Sequence, residues 1–258
     1  MEIRMVLLDI DGTLVHQRRL VPSAHRVIAG LRQNGLEVAL CTGRSVLHAR
    51  QVQEVLGVEH CVYFNGALAS SRGRIIQAMP LPNNVVQRMI GFTRQHNLPL
   101  ILHTTDRAIS LSPIPKPLQP LLNSYDFSPI EVVDEYPLSD RPTVFQSNVL
   151  VTPDWDEEIQ RQLPECLLYR WDWNAIDLQQ GACDKSVGAH ALLTYLGIKP
   201  EQAVHIGDGG NDIPLFRQVG ISVAMGNAAA PVRQQASFVT KSVEEDGVLH
   251  ACLTLGLL

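Results

Sequence analysis

The chain has 258 residues, 45% hydrophobic and 18% charged, with a formal net charge of −5. That is the composition of an ordinary globular protein, and its acidic balance argues against a nucleic-acid partner, which calls for a basic footprint. No apolar run reaches the ~18 residues of a spanning helix, so no membrane partner is expected. The five cysteines (Cys41, Cys61, Cys166, Cys183 and Cys252) are scattered without a CxxC pair and read as small core residues of a reducing compartment.

Val6-Leu7-Leu8 is an apolar run that reads as a buried strand of a parallel sheet. A strand this early, with no signal-peptide pattern before it, makes the cytoplasm the expected location. The run enters Asp9-Ile10-Asp11-Gly12-Thr13. Strand residues two apart point to the same side, and the carboxyl ends of such strands are where open α/β sheets place ligands. Two carboxylates there raise each other's cost unless a cation sits between them. The alternative is an acidic loop capping a helix.

Ser23 suits the N-cap of a helix containing Val27, Ile28 and Leu31, and Asn34-Gly35 suits its end. Residues 36–40 form a second strand, delivering Cys41-Thr42-Gly43-Arg44-Ser45 into a helix over 45–56 that stops at Gly57. A hydroxyl and a glycine before a helix start make a ready anion site, or else an ordinary strand-to-helix cap. A short strand over 61–64 leads to Asn65-Gly66-Ala67, where Asn65 suits a tight turn with positive φ. Residues 68–76 read as a hairpin turning at Arg72-Gly73.

From Pro80 the pattern changes. A helix runs from Pro82-Asn83 through His96, strands cover 100–103 and 108–111, and Pro113-Ile114-Pro115-Lys116-Pro117 breaks regular structure. Further strands are expected over 130–133, 144–151, 167–173 and 175–178, with a helix over 154–162. This mixture lacks the regular alternation of the first 60 residues, so 81–177 is expected to be an inserted α+β domain, with 1–80 and 178–258 as the core. In Trp171-Asp172-Trp173 the alternation puts both rings on one face, expected to pack in the core rather than on a substrate. The insert carries seven Lys/Arg against thirteen Asp/Glu, few cations for a second phosphate. His16, His48, His103, His190 and His205 form no ligand-spaced cluster and read as surface or core.

The core resumes at Gly181-Ala182-Cys183-Asp184-Lys185-Ser186, before a helix closed by Gly197. Asp184 suits its N-cap. Lys185 lies in the first turn, where the dipole disfavours a cation, so an anion is expected nearby. A strand over 203–206 ends in Gly207-Asp208-Gly209-Gly210-Asn211-Asp212, whose acids offer the hard oxygen ligands that Mg²⁺ prefers. Pro214 is tolerated in the next helix's first turn. A strand over 221–224, a short strand over 238–240 and a terminal helix opening near Gly247 complete the chain.

The four strand-end motifs together resemble those of the haloacid dehalogenase superfamily. The insert, placed between the second and third motifs, resembles the type 2 (C2B) cap of the Cof-like subgroup. The resemblance implies an α/β fold, with a Rossmann-like core around a parallel sheet and an inserted α+β cap that sets specificity. It implies a phosphoric monoester hydrolase with Asp9 as nucleophile, through an aspartyl phosphate, and Asp11 as acid and base. Ile10, Thr42, Gly43, Lys185 and Asn211 would bind phosphate. Mg²⁺ would sit on the Asp9 carboxylate, the Asp11 carbonyl and the Asp208 carboxylate, with Asp212 orienting Lys185 and the metal shell. Asn65 would face the site, Arg44 would shape its edge, and the cap would close over the first step. The subgroup's usual Ser-Lys-Gly is Asp184-Lys185-Ser186 here, one negative charge more. The expected partner is a small phosphorylated metabolite, with a sugar or polyol monophosphate favoured by the cap's charge, acted on by a monomer or small homo-oligomer. A phosphomutase and a binding-only sensor are the alternative readings; Asp11 and Asp208 argue against a dehalogenase.

Overall fold

The computed structural model describes residues 2–125, 127, 129–136 and 142–258. The chain divides into two compact units, one of Met1–Gly43, Ala49–Ala78 and Asp184–Leu258, the other of Arg44–His48 and Met79–Cys183.

The first unit is built on an eight-stranded sheet in the order Phe238–Val239, Ile221–Ala224, Ala203–Gly207, Met5–Leu8, Glu37–Cys41, His60–Tyr63, Leu68–Ser71 and Arg74–Ala78. The first six strands are parallel, and the last two are the antiparallel hairpin turning at Arg72-Gly73. Met5–Leu8 lies in the middle and is buried throughout. It pairs with Ala203–Gly207 on one side and Glu37–Cys41 on the other. Met5, Leu7, Ala39, Cys41 and Val62 pack against Ala189, Leu192 and Leu193 of the helix Lys185–Leu196. The chain leaves Met5–Leu8 toward one neighbour and reaches the other only after some 200 residues, so the crevice at its carboxyl end is a topological switch point, where α/β sheets place their sites.

The second unit has a six-stranded sheet in the order Glu131–Val132, Ala108–Ser110, Leu100–His103, Gln146–Val149, Ala175–Gln180 and Cys166–Asp172. On one face Leu100, Leu102, Val149, Ile176 and Leu178 pack with Val85, Val86, Met89 and Ile90 of the helix Asn83–Gln95 and with Ile159 of Asp156–Gln162. The other face is polar where His103, Gln146 and Gln179 lie abreast in register, next to Asn148 and Asp177.

Three elements differ from the sequence expectations. Ser23 stands at the N-cap of Ala24–Gln33 but makes no side-chain cap; its hydroxyl donates to Asp246 Oδ1 at 2.6 Å. The proline passage runs into a short helix, Gln119–Ser124, with Pro120 in its first turn, where a proline costs nothing. The tryptophans part: Trp171 packs on Tyr125 and Phe127, while Trp173 is 69% exposed. The strand ends at Asp172, whose carboxylate accepts the N–H of Asn174 at 2.8 Å, and that turn carries Trp173 out of the alternation. All five cysteines are free and buried. Among the described residues no helix is long and apolar enough to cross a membrane.

Candidate active site

The strand Met5–Leu8 stops one residue before Asp9, so Asp9 and Asp11 stand on a turn rather than in the strand. The Ile10 carbonyl holds that turn, accepting the N–H groups of Thr13, Leu14 and Val15 at 3.3, 2.9 and 2.8 Å. The Ile10 side chain is core. Gly12 has φ +71°, and a Cβ there would lie 2.1 Å from Asp208 Oδ2. Only glycine lets the first turn come so close to the loop after Ala203–Gly207.

Lys185 is the first residue of its helix, behind Asp184, whose carboxylate caps the N–H of Ser186 at 2.8 Å. The lysine is fully buried. Its Nζ donates to Asp9 Oδ1 at 2.7 Å and to Asp212 Oδ1 at 2.6 Å. Asp212 is fully buried too and accepts the N–H of Gly209 through Oδ2 at 2.9 Å. Carboxylate oxygens of Asp9, Asp208 and Asp212 lie within 4.8 Å of one another.

Beside this cluster, Asn65 accepts the N–H₂ of Asn211 at 2.8 Å and gives its own backbone N–H to the Thr42 carbonyl at 3.0 Å. A Cβ on Gly43 would lie 2.9 Å from Asn65 Oδ1. The Asn65 φ of 49° is the left-handed turn conformation. Thus Thr42, Gly43, Asn65 and Asn211 stand together, as do Asp9, Lys185, Asp208 and Asp212. Asp11 lies outside the trio of neighbouring carboxylates, half-exposed on the turn.

The sequence profile of the haloacid dehalogenase-like hydrolases matches residues 6–252. The chain belongs to that family. YkrA of Bacillus subtilis (strain 168) is 28% identical over the whole of both chains. Phosphoglycolate phosphatase 1 of Saccharolobus solfataricus is 27% identical over 95% of this chain and 92% of its own. Among solved structures, the haloacid dehalogenase subclass IIB sugar phosphatase BT4131 superposes with a TM-score of 0.89 at 25% identity, covering 99% of this chain and 100% of the other. The protein is accordingly a phosphatase of the haloacid dehalogenase type, with an α/β core and a cap, hydrolysing phosphoric monoesters.

The electrostatics of this hydrolase follow from burying three carboxylates around one lysine. Burial, with Asp212 and Asp208 nearby, raises the Asp9 carboxyl well above the usual range against the pull of Lys185. Burial likewise pushes Asp208 up to about 7, with Asp212 and Asp11 adding to it. Asp212 goes the other way: burial would raise it, but Lys185 and the His205 hydrogen bond hold it below the usual range. Lys185 is held above its ordinary value because Asp212 and Asp9 outweigh the cost of burial. The lysine is fully committed as a cation, and Asp9 and Asp208 are short of positive charge.

Two residues at this cluster escaped the sequence reading. His205, set down as surface or core, is fully buried and faces acceptors through both ring nitrogens, Leu7 O at 3.1 Å and Asp212 Oδ1 at 2.8 Å. A polar residue in the middle of the apolar run Ala203-Val204-His205-Ile206 was the available signal. Asn227 Nδ2 reaches Gly12 O at 3.0 Å and Asp208 Oδ2 at 3.1 Å, while Asn227 Oδ1 accepts the N–H of Val243 at 2.9 Å. Its signal was an asparagine in the turn after a parallel strand.

Proposed function

We propose that the protein is a Mg²⁺-dependent phosphatase of a small phosphorylated metabolite, a sugar or polyol monophosphate, acting through an aspartyl phosphate on Asp9. The observation that carries this is the buried Lys185 bridging Asp9 and Asp212, with the Asp208 carboxylate beside them. The residues fit a divalent cation: the donors are hard carboxylate oxygens, and the shifts of Asp9 and Asp208 mark a local deficit of positive charge. The carboxylates of Asp9 and Asp208 and the carbonyl of Asp11 would hold Mg²⁺. Both Asp212 oxygens are already engaged by Lys185, His205 and Gly209, which suits it to orienting the lysine. The cation would supply charge neutralisation at the phosphoryl oxygens.

In the cycle we assign, Asp9 attacks phosphorus in line and displaces the alcohol. Asp11, on the turn outside the trio of neighbouring carboxylates, gives its proton to the leaving oxygen. It then takes one from the water that cleaves the aspartyl phosphate. Lys185 neutralises charge between Asp9 and the phosphoryl group, and Ile10, Thr42, Gly43 and Asn211 position that group, with Asn65 holding Asn211. Positioning and charge neutralisation are what phosphoryl transfer requires. The excess of acids over bases in 81–177 disfavours a second phosphate. A neutral, hydroxylated leaving group is also consistent with the sugar phosphatase found among its structural relatives.

The test is phosphate release across a panel of phosphorylated metabolites, with and without EDTA, for wild type and Asp9→Asn. Release that needs Mg²⁺ and is lost in Asp9→Asn supports the proposal; release that survives Asp9→Asn overturns the nucleophile. If bisphosphates or nucleoside triphosphates give the highest kcat/KM, the substrate class is wrong.

A further inference from the structure

His205 is a fully buried polar residue in the middle of the strand Ala203–Gly207, within the first unit. Strand pairing sets it beside Leu7, two residues before Asp9. Its partners fix its protons. Nδ1 lies 3.1 Å from the Leu7 carbonyl oxygen, and Nε2 lies 2.8 Å from Asp212 Oδ1. A backbone carbonyl only accepts, and so does an ionised carboxylate. In either neutral tautomer one ring nitrogen would therefore set its lone pair against an oxygen, in a place closed to solvent.

Asp212 does not carry the extra proton instead. Its Oδ1 also receives Lys185 Nζ at 2.6 Å, and its Oδ2 receives the N–H of Gly209 at 2.9 Å. Against the effect of burial, Lys185 and the His205 hydrogen bond hold this carboxyl below its usual range. The ring thus faces one ionised carboxylate, with Lys185 on the same oxygen, and one carbonyl. Phe216 packs on it at 5.4 Å between centres.

The consequence is electrostatic. Lys185 donates to two carboxylates at once, Asp9 and Asp212, and Asp208 stands beside them. Without a second cation, half of what the lysine offers is held by Asp212. A charge on His205 neutralises Asp212 in surroundings where such pairs act strongly. The two bonds from the ring also fix the Oδ1 atom on which Nζ is anchored. We propose that His205 is a buried imidazolium that donates to Leu7 O and Asp212 Oδ1 and so turns the Lys185 charge toward Asp9 and the phosphoryl group. It acts through Asp212 and is a positioning residue. The inference rests on the phosphatase reading given above and deepens it.

The test has a spectroscopic arm and a kinetic arm. The full chain with ¹⁵N-labelled histidine is compared with His205→Gln by NMR at about pH 7.5, where an ordinary histidine of pKa about 6.5 is mostly neutral. We expect one histidine, absent from the variant, with protons on both ring nitrogens, in EDTA and in Mg²⁺ alike. A neutral tautomer at His205 overturns the proposal. Kinetics use phenyl phosphate at saturating Mg²⁺. His205→Phe, which keeps a ring and removes both donors, should lower kcat about 10–100-fold and leave KM within about threefold. His205→Gln, which keeps one neutral donor, should recover part of that kcat and stay at least about threefold below wild type. A lowered Tm with unchanged kcat in His205→Phe would make the histidine a packing residue, and full recovery in His205→Gln would show its charge to be idle. Either result overturns the proposal, as does a loss carried by KM alone. If His205→Phe does not fold, the wild-type spectrum and the kcat of His205→Gln decide. Absence of release by the wild type from phenyl phosphate and every ester of the panel would instead refute the phosphatase reading, and the positioning role with it, whatever the spectrum shows.

Discussion

Lys185→Met is the most searching perturbation of the catalytic unit. Each contact from Nζ, at 2.7 Å to Asp9 and 2.6 Å to Asp212, has a gross Coulomb energy of about 6 kcal/mol at an effective dielectric near 20. The desolvation of three buried charged groups offsets much of it. Deleting the cation does not return those groups to water; it leaves Asp212 and Asp9 buried without their partner. Such a loss costs about 3–5 kcal/mol, and at roughly 2–4 °C per kcal/mol for a chain of this size the Tm should fall by on the order of 10 °C. Urea unfolding and thermal scans in EDTA would measure it. Lys185→Met combined with Asp212→Asn should cost less than the sum of the two single variants by at least about 1 kcal/mol, because the second change removes the charge that the first exposed. A loss under about 1 kcal/mol in Lys185→Met, or strict additivity in the pair, would show that the lysine does not neutralise this cluster.

Asp9→Asn should fold with wild-type Tm or higher, since it removes a buried carboxylate of raised pKa, while phosphate release falls by on the order of 10⁴-fold. Asn227→Ala frees Asp208 Oδ2 and Gly12 O; titration of activity with Mg²⁺ should show a half-saturating concentration raised about 10–100-fold, with kcat at saturation largely kept. Gly12→Ala forces a side chain into positive φ and against Asp208, so it should destabilise by about 1–3 kcal/mol and weaken Mg²⁺ more than Asn227→Ala does. The neutral His103 makes stability depend on pH. Its pKa falls from 6.5 unfolded to about 3 folded, so the unfolded state takes up the extra proton. Its contribution is whole above pH 6.5 and lost as pH falls toward 3, by up to about 1.4 kcal/mol per unit. Asp208, raised to about 7, and Asp9 take up protons on folding over the same range and act with the opposite sign, so the checkable quantity is a difference: between pH 7 and 5, wild type should lose about 2 kcal/mol of urea stability relative to His103→Gln.

The parts of the site that were legible are those whose meaning is local. A strand running into paired aspartates, a hydroxyl-glycine pair before a helix, a lysine where the dipole should repel it and a loop with two acids each state a local anomaly. Asp9, Lys185, Asp208 and Asp212 resolve those anomalies together. What was not legible depends on partners far along the chain or on single turns. Asn227 acts on Gly12, 215 residues away, and Ser23 gives its hydroxyl to Asp246, 223 residues away, instead of capping its helix. His205 looked like one more core histidine because nothing in its own strand names Leu7 and Asp212 as its partners. Trp173 follows an Asx turn that hydrophobic alternation does not register. Gln119–Ser124 hid behind the prolines of 113–117, which read as breakers, and carries a further proline, Pro120, in its own first turn.

The wiring of the eight-stranded sheet carries a consequence for the chain's life on the ribosome. Met5–Leu8 is synthesised some 200 residues before Ala203–Gly207, one of its two neighbours. Until that strand emerges, the sheet's central strand has a bare apolar edge, while every strand of the second unit is already made. Pairings of such sequence separation are slow to form, and unpaired edges favour aggregation. A nascent chain arrested between residues 180 and 200 is therefore the species most exposed to chaperones. Emergence of residues 203–240 completes both the sheet and the lysine-carboxylate cluster.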